Sequence, residues 1–335
     1  IEFGLSFLCT FSAMFCFWVS AYTIHFGLVV YSMVCMIGFM TGLEIPLIMR
    51  INQTYEPLRE NISSVMEYDY YGGLLGGALF AFVLLPFLGL TYTPVVIGSL
   101  NLLVASLVLW HFSNYLTRPR TLNIQFTVLL IISVLAFSVA KPIVLYGEQH
   151  KYKDKIIYQE QTRYQKIVVT QWKDNFWLFI NGSTQFSTYD EERYHEPLVH
   201  PVMGLLKEQK DILLLGAGDG LAAREILKYP GVESLTLVDL DPAMTRLARQ
   251  HEMFLRVNQG SLNDPRVRVH NKDAYQFIKE SSDLYDAIII DLPDPKSVSL
   301  SLLYSLGFYK MIEKHLKPFG AMVTQSTSPL YSPEA

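Results

Sequence analysis

The stretch Asp211–Gly220, which reads DILLLGAGDG, decides the fold of the C-terminal half of this chain. Its first residues suit a buried strand, the glycine-rich turn comes directly after them, and a helical pattern then runs to Lys228. Further strands, each separated from the next by a helical segment, are predicted at Ser234–Val238, Val267–His270, Asp286–Ile290 and Ala321–Gln325. This alternation predicts a parallel sheet with helices on both faces.

Short strands and one helix precede this alternation. A β-hairpin is predicted from the strands Gln165–Thr170 and Trp177–Ile180, which the tight turn Lys173–Asn175 connects. A second turn follows at Asn181–Gly182. The segment Tyr194–Leu206 predicts a helix interrupted by Pro197 and Pro201. Residues 147–190 are therefore expected to form a small β-hairpin subdomain ahead of the parallel-sheet domain, residues 191–335.

The first part of the chain is poor in charge. Residues 1–146 carry only 11 of the 58 Asp, Glu, Lys and Arg side chains. Five apolar stretches come close to the roughly 17–25 residues that cross a bilayer as a helix: Phe3–Ala21, Phe26–Met49, Gly72–Leu90, Val95–Trp110 and Ile124–Leu145. This pattern excludes a single soluble domain, a disordered chain and a disulfide scaffold. It predicts an α-helical transmembrane domain of about five spans over residues 1–146.

The charges beside these spans leave the orientation open. Arginines in the second and fourth links would place residues 147 onward outside the cell, whereas lysines near the start of the second half argue the opposite: Arg50, Arg59, Arg118 and Arg120 against Lys141, Lys151, Lys153 and Lys155. Glu44 is an ionisable group inside a span, and is either a functional candidate or a residue that reaches the headgroups or Arg50. Gly72, Gly73, Gly76 and Gly77 predict a close helix contact.

Acidic residues follow the predicted parallel strands, at the sheet edge where ligands bind. The glycine loop alone would fit NAD, FAD or S-adenosylmethionine. Asp219 within it would repel a pyrophosphate, and so favours a sulfonium nucleoside with an amino tail; the alternative is a helix N-cap. Asp239 stands where a ribose-binding acid belongs. Asp273, followed by Ala274, suits an adenine amino group or a second N-cap.

A pair of carboxylates follows the fourth predicted strand. Asp291 and Asp294 are three residues apart on a loop that also holds Pro293 and Pro295. Such acids can bind ammonium groups and accept a proton from an amine nucleophile. The alternative is an Asp-Pro turn without a function.

These motifs together resemble the polyamine aminopropyltransferase family, spermidine synthase above all, over about residues 156–330. The matching segments are Asn181–Gly182, Gln185, Asp190–Glu196, Gly216–Gly220, Asp264–Arg266, Asp291–Pro295 and the aromatic helix Leu303–Tyr309. The apolar part resembles the N-terminal region of membrane-attached, multi-pass bacterial members, especially at Gly42–Arg50 and Asp69–Gly77. The implied fold is a helical membrane domain followed by an α/β Rossmann-like domain, similar to class I methyltransferases, with the small β-hairpin subdomain at its start.

The resemblance also implies a reaction. Decarboxylated S-adenosylmethionine would be the co-substrate and putrescine the acceptor, giving spermidine and methylthioadenosine without a permanently bound cofactor or metal. Asp291 would be the catalytic proton acceptor. The nucleoside would be held by Gln165, Gly216, Gly218, Asp219, Asp239, Asp273 and Ala274, and the cationic groups by Tyr194, His195, Asp219, Asp291 and Asp294.

Some residues depart from the family pattern. Ala217 and Leu221 replace residues of the glycine loop, Leu292-Pro293 replaces a polar pair between the two aspartates, and the covering proline is missing near Lys296–Val298. The last two departures concern acceptor choice and lid closure. The chain also starts at Ile1 and stops soon after the fifth strand, so truncation is expected at both ends.

Location and partners follow from the same resemblance. We expect the catalytic half in the cytoplasm, where the nucleoside donor is made, with the helices in the bacterial inner membrane. A homodimer is compatible with this assignment, and the net charge of −4 gives no reason to expect nucleic acid. Two alternative functions are an S-adenosylmethionine-dependent methyltransferase and a non-enzymatic polyamine sensor or transporter.

Overall fold

The computed structural model describes residues 1–23, 25–53, 57–112, 119–295 and 298–326. The chain divides into two compact units, Ile1–Lys155 and Ile156–Ala335. The boundary expected after residue 146 falls inside a helix that continues to Gln149. Arg118, Lys296 and the end of the chain beyond residue 326, which the sequence interpretation used, lie outside the described residues.

The first unit is helical throughout its regular structure. A π-helical turn, Phe80–Leu84, joins its third helix to its fourth. The helices are α1 (Glu2–Ser20), α2 (Phe26–Asn52), α3 (Leu58–Leu79), α4 (Leu85–His111) and α5 (Pro119–Gln149). Four helical stretches in the described part of the chain are long and apolar enough to cross a membrane by length and composition. One of them is the continuous run Leu58–His111, which contains both the third and the fourth predicted spans.

A kink separates those two predicted spans. Gly89 has φ 63° and ψ −174°, values that lie outside any helix and that glycine adopts without a steric penalty. Helical structure resumes after Gly89 and continues through Pro94 to His111. The number of bilayer crossings made by Leu58–His111 therefore stays a prediction.

Small residues allow α1 to pack closely against α4 and α5. The Ser6 hydroxyl donates a 2.7 Å hydrogen bond to the carbonyl of Gly98. A Cβ on Gly98 would lie 2.2 Å from the Thr10 hydroxyl, and one on Gly147 would lie 2.2 Å from the Phe17 carbonyl. Within the described residues, nothing lies within 4 Å of a Cβ built at the glycines of Gly72–Gly77, so the close helix contact expected there stays a prediction.

The second unit begins with a four-stranded sheet in chain order. Its strands are β1 (Lys155–Gln161), β2 (Lys166–Trp172), β3 (Asn175–Ile180) and β4 (Ser183–Ser187), with antiparallel pairing of β2 with β3 and of β3 with β4. The predicted hairpin is confirmed. Its sharp turns use positive φ at Lys173 and then at Asn181 and Gly182, the pattern of tight hairpin connections. The structure adds β1 and β4, so the subdomain is a full sheet.

The five predicted parallel strands are all present. They are β5 (Asp211–Gly216), β6 (Ser234–Asp239), β7 (Val267–Asn271), β8 (Tyr285–Asp291) and β9 (Leu316–Thr324), in the order β7-β6-β5-β8-β9. Ile212 and Leu214 pack into one core, while Leu213 and Leu215 pack into another. Burial on both faces explains why these strands are continuous apolar runs.

Helices cover those two faces. One core also receives α6 (Glu192–Leu205), α7 (Leu221–Leu227), α8 (Pro242–Gln250) and α9 (Glu252–Asn258), together with the small sheet. The other core receives α10 (Ala274–Glu280) and α12 (Leu306–Lys314), which follows the short α11 (Val298–Ser301). The strand order reverses between β5 and β8, so a crevice is expected at their carboxyl ends.

The prediction that prolines interrupt α6 was wrong, because the helix runs through Pro197 and Pro201. Each proline removes one backbone donor. The acceptors left without a helical partner are the carbonyls of Arg193 and Pro197. Pro197, Pro201 and Arg193 are all exposed, so water can satisfy those carbonyls.

The helical pattern over Leu302–Leu316 forms a helix that is shorter than the pattern predicts. Residues Leu302–Tyr304 form a 3₁₀ turn, and α12 starts only after Ser305, whose hydroxyl accepts a hydrogen bond from the Phe308 backbone amide. Strand β9 then begins at Leu316, earlier than the predicted Ala321, with an irregularity where it pairs with the start of β8. These shifts leave the carboxyl end of the sheet unchanged.

Candidate active site

The glycine loop brings the chain back across the end of β8. Gly216, Ala217 and Gly220 have φ of 84°, 55° and 84°. A Cβ on Gly216 would lie 1.9 Å from the backbone carbonyl of Asp291, so only glycine fits there. Gly216 also pairs in register with Asp291. The loop and the backbone of Asp291 are therefore neighbours by construction of the sheet.

Asp239 closes the other side of the loop. One of its carboxylate oxygens accepts a 3.0 Å hydrogen bond from the Gly218 amide and the other a 2.9 Å hydrogen bond from the Asp241 amide. Burial raises the pKa of Asp239 to about 6. A carboxylate oxygen has two lone pairs, so each can still accept from a ribose hydroxyl. The predicted position for a ribose-binding acid is compatible with this geometry.

The structure is compatible with both roles that the sequence left as alternatives for Asp219. Its Oδ1 accepts a 2.9 Å hydrogen bond from the Leu221 amide at the start of α7, in the manner of a cap. The same side chain is 9% exposed and interacts electrostatically with His195. Burial raises the pKa of Asp219 above its usual range. A buried acid of this kind gains from a cationic ligand, which would replace the lost hydration.

Asp291 lies at the centre of the group. The Tyr194 hydroxyl donates a short hydrogen bond to its Oδ1. Burial raises the pKa of Asp291 to about 6, and the nearby charge of Asp219 acts in the same direction, while Tyr194 and His195 oppose it. Burial and Asp291 likewise raise the pKa of the Tyr194 hydroxyl, which therefore keeps its proton. A carboxyl group with a pKa near neutrality is suited to accept a proton.

His195 contacts a residue to which the sequence interpretation gave no role. Its Nδ1 lies 2.8 Å from Glu191 Oε2, and Glu191 in turn pairs with Arg224 at 2.7 Å. Although burial opposes the change, hydrogen bonds from His195 and Arg224 lower the pKa of Glu191 to about 2. The predicted helix began only at Tyr194 and so gave no signal for this contact, whereas in the structure Glu191 is the N-cap of α6, four residues before His195.

The loop after β8 is held by two further residues. The Tyr304 hydroxyl and the Gln325 side-chain amide donate to the Leu292 carbonyl at 2.9 and 2.6 Å. The same Gln325 amide lies 3.4 Å from Asp294 Oδ1. Gln325 follows β9 and had been assigned only as the end of a strand. These contacts hold the loop that carries Asp294, three residues after the end of β8 at Asp291.

Gln165 is brought to the sheet edge by a turn that ends at β2. The Thr162 hydroxyl accepts a 3.0 Å hydrogen bond from the backbone amide of Gln165 and donates a 2.8 Å hydrogen bond to Asp241 Oδ2. Asp241 also caps α8 and bonds Asp239 through its own amide. The chain Thr162–Asp241–Asp239 therefore connects Gln165 to the loop after β6.

Asp273 and Ala274 open α10. The Asp273 side chain accepts a 2.9 Å hydrogen bond from the backbone amide of Gln276. This is the helix N-cap that the sequence analysis gave as the alternative to adenine binding. Ala274 is buried. Because α10 follows β7, this pair lies farther along the sheet from Asp291 than Asp239 does. That separation suits the two ends of a nucleoside.

A cluster outside the crevice has the composition of a metal site. Glu196, His200 and Glu225 bring one ligand atom each within 4.8 Å of one another. Glu225, however, is already paired with Arg224 at 2.8 Å and with Lys228 at 2.5 Å. The cationic side chains of Arg224 and Lys228 therefore account for the burial of the Glu225 carboxylate.

Comparison with known proteins finds similar sequences. Residues 191–335 match the spermine/spermidine synthase domain family. The chain is 40% identical to a polyamine aminopropyltransferase of Oceanobacillus iheyensis over its full length and 66% of that protein. It is 41% identical to one of Leptospira interrogans, over 92% of the chain and 62% of that protein.

A solved structure is also similar. A spermidine synthase crystallised with the transition-state analogue AdoDATO superposes with a TM-score of 0.51 at 29% identity, covering 54% of this chain and 61% of that one. The chain spans less than two thirds of the length of these proteins. Domain match, relatives and fold agree with one another, and over residues 191–335 the chain is similar to the spermine/spermidine synthase domain family.

Proposed function

We propose that this protein transfers the aminopropyl group of decarboxylated S-adenosylmethionine to putrescine, giving spermidine and methylthioadenosine. The observation that carries the proposal is Asp291. Its carboxyl group accepts a hydrogen bond from Tyr194 and has a pKa raised to about 6 by burial, and its backbone lies against the glycine loop of a chain similar to this family. The spermidine synthase solved with a transition-state analogue supports the assignment by similarity.

The strand ends supply the donor site. Asp239 accepts from the ribose hydroxyls, while Asp273, the Ala274 backbone and Gln165 hold the remainder of the thioadenosine. Gly216 and Gly218 let the chain approach the ligand closely because no Cβ stands in the way. Asp219 binds the ammonium group of the aminopropyl tail, which explains a carboxyl group in a loop that would otherwise favour phosphate.

Asp291 carries out the proton transfer. The putrescine ammonium gives one proton to the Asp291 carboxylate, which frees the nitrogen lone pair. That nitrogen attacks the carbon next to the sulfonium, the C–N bond forms, and the C–S bond breaks with its electrons going to sulfur. Asp294, on the same loop, binds the distal ammonium. Placing two cations in line for displacement supplies much of the rate enhancement.

Product analysis tests the reaction. The full chain in detergent is incubated with decarboxylated S-adenosylmethionine and putrescine, and the products are identified by mass spectrometry. Spermidine and methylthioadenosine in equal amounts support the proposal. A methylated amine formed from S-adenosylmethionine itself would favour the methyltransferase alternative, and binding of amines without turnover would favour the sensor or transporter.

Asp219→Asn tests the role of the loop carboxyl group. The substitution removes the charge and keeps the acceptor for the Leu221 amide, so we expect the affinity for decarboxylated S-adenosylmethionine to fall about 10-fold or more. Methylthioadenosine, which lacks the ammonium tail, should lose at most about 2-fold. Isothermal titration with both ligands measures the ratio.

Asp239→Asn is the matched control for that measurement. Asp239 faces the ribose that both ligands share, so this variant should weaken both to the same extent. An equal loss of the two ligands in Asp219→Asn would show that Asp219 is a structural cap only.

We further propose that the helices of the first unit tether this activity to the inner membrane, with the second unit in the cytoplasm. The apolar helices support the membrane location, and the intracellular origin of the nucleoside donor supports the orientation. The proton-accepting and cation-binding groups assigned above all belong to the second unit, so the helices serve location rather than chemistry.

Lys210→Cys tests the orientation. Lys210 is half exposed on the second unit, so a cysteine there is accessible to reagents. In a background with Cys9, Cys16 and Cys35 replaced by serine, a membrane-impermeant maleimide should leave intact cells unlabelled and should label inverted vesicles. Labelling in intact cells would place the catalytic unit outside.

A further inference from the structure

Arg224, Glu191 and His195 form a continuous buried chain of ionic contacts beside the carboxyl groups of the site. Two guanidinium nitrogens of Arg224 lie 2.7 and 3.0 Å from the two oxygens of Glu191, and Glu191 Oε2 lies 2.8 Å from Nδ1 of His195. The three side chains are 9%, 5% and 2% exposed. Glu191 therefore contacts His195 directly and Arg224 contacts Glu191, while the charges of both also act on Asp219.

The contacts of Nδ1 settle where the ring carries a proton. Nδ1 lies 2.8 Å from the Glu191 carboxylate and 2.9 Å from the Glu191 backbone carbonyl, both of which are acceptors. Nδ1 must therefore carry hydrogen. The rings of Tyr194 and Phe186 pack edge-on against the imidazole at 5.0 and 6.2 Å, which restricts its rotation. Asp219 and Asp291 interact with the ring electrostatically.

The charges around His195 favour its cationic form. Glu191 and Tyr194 face it from α6, Asp219 faces it from the glycine loop, and Asp291 faces it from the end of β8. Burial lowers the pKa of His195, but the hydrogen bond to Glu191 and the charges of Asp219 and Asp291 outweigh burial and raise it. His195 in turn lowers the pKa of Asp291, which favours the carboxylate that accepts a proton.

We propose that Glu191 and Arg224 are positioning residues which hold His195 as an imidazolium and thereby keep Asp291 ionised, ready to accept the proton of the amine. This inference rests on the proposed aminopropyl transfer. It adds residues that control the ionisation of Asp291, the base of that reaction. Arg224 fixes the Glu191 carboxylate, Glu191 fixes Nδ1–H, and the charge of the ring acts on Asp291. The pair touches no substrate and is not itself catalytic.

Glu191→Gln tests the chain, because glutamine keeps an acceptor for Nδ1–H and removes the charge. The full chain in detergent is labelled with [ε1-¹³C]histidine, and His195→Asn identifies the signal of His195 among the 8 histidines. We expect the His195 titration midpoint to move down by about one pH unit or more. The acid limb of kcat/KM, which reports the free enzyme, should move up because Asp291 loses a neighbouring cation.

The opposite directions of these two shifts are what distinguishes the proposal. Removing the negative charge of Glu191 would by itself make Asp291 more acidic and move the acid limb down. A merely structural loss would lower kcat without moving either midpoint. An upward limb together with a downward His195 midpoint therefore identifies His195 as the intermediary.

Glu225→Gln is the matched control, since Glu225 is fully buried and pairs with the same Arg224 but does not contact His195 in the described structure. It should destabilise the protein without moving either midpoint. Equal shifts in both variants, or none in Glu191→Gln, would overturn the proposal. If Glu191→Gln does not fold, Arg224→Lys should give smaller shifts in the same two directions, and unchanged midpoints there would overturn it equally. The His195 titration needs no turnover, so it separates this failure from that of the proposed function.

Discussion

The variant Asp291→Asn is expected to lower kcat about 10²- to 10⁴-fold, the contribution typical of a positioned general base. Asparagine keeps the shape and an acceptor for the Tyr194 hydroxyl but cannot take a proton at neutral pH. Nucleoside binding should be retained, because Asp239 and Asp273 hold the thioadenosine in our assignment. Steady-state kinetics and titration with methylthioadenosine measure the two effects separately.

Asp294→Asn provides the comparison. Asp294 accepts a hydrogen bond from Gln325 and is assigned to the distal ammonium, so this variant should raise the KM for putrescine more than it lowers kcat.

In the unchanged protein, kcat/KM should rise with pH through about 6, because burial raises the pKa of Asp291 to about 6 and only the carboxylate accepts a proton. Near-normal turnover in Asp291→Asn would contradict the role assigned to this residue.

The second large effect is expected at Gly216. In Gly216→Ala the new methyl group would lie 1.9 Å from the Asp291 carbonyl, at a residue whose φ is 84°. Both the backbone of the loop and that of β8 would have to move. We expect a loss of at least about 3 kcal/mol of folding free energy, above the 1–2 kcal/mol typical of the left-handed backbone alone. Methylthioadenosine binding should become undetectable by titration.

Gly260→Ala is the control for backbone strain. Gly260 has φ 68°, but nothing in the described residues lies within 4 Å of its Cβ position. Its variant should therefore show only the smaller loss, with nucleoside binding retained. Thermal unfolding of both variants in the same detergent gives the comparison. If Gly216→Ala is no less stable than Gly260→Ala, the close approach of the loop to β8 is not essential.

Much of the second unit was predictable because its strands are buried on both faces. An apolar run such as Ile212–Leu215 has few alternatives when it is bounded by a charged residue and a glycine turn. The turn at Asn181–Gly182 was predictable for a local reason, since two successive residues with positive φ suit Asn and Gly. The glycine loop and the acids after β6 and β8 followed from the same alternation.

Helix ends and proline effects were predicted less well because they depend on surroundings. Pro197 and Pro201 lie on an exposed face, where water replaces the missing helical hydrogen bonds, so α6 continues. Asp219 and Asp273 each accept from an amide at a helix start, and that contact does not exclude a ligand on the remaining lone pairs. Composition could not distinguish these cases, because capping and binding use the same side chain.

The sequence by itself determined the apolar first part, the parallel sheet and the carboxyl groups at its edge, because hydrophobic periodicity and turn chemistry act over a few neighbouring residues. Which of these groups meet depends on how distant parts of the chain pack together. Tyr194 and Asp291 are 97 residues apart, and Arg224 is 33 residues from Glu191, yet each pair is in hydrogen-bond contact. The pKa of Asp291 is raised by burial and by the charge of Asp219. Both causes act through space and depend on the removal of water, which no local pattern records.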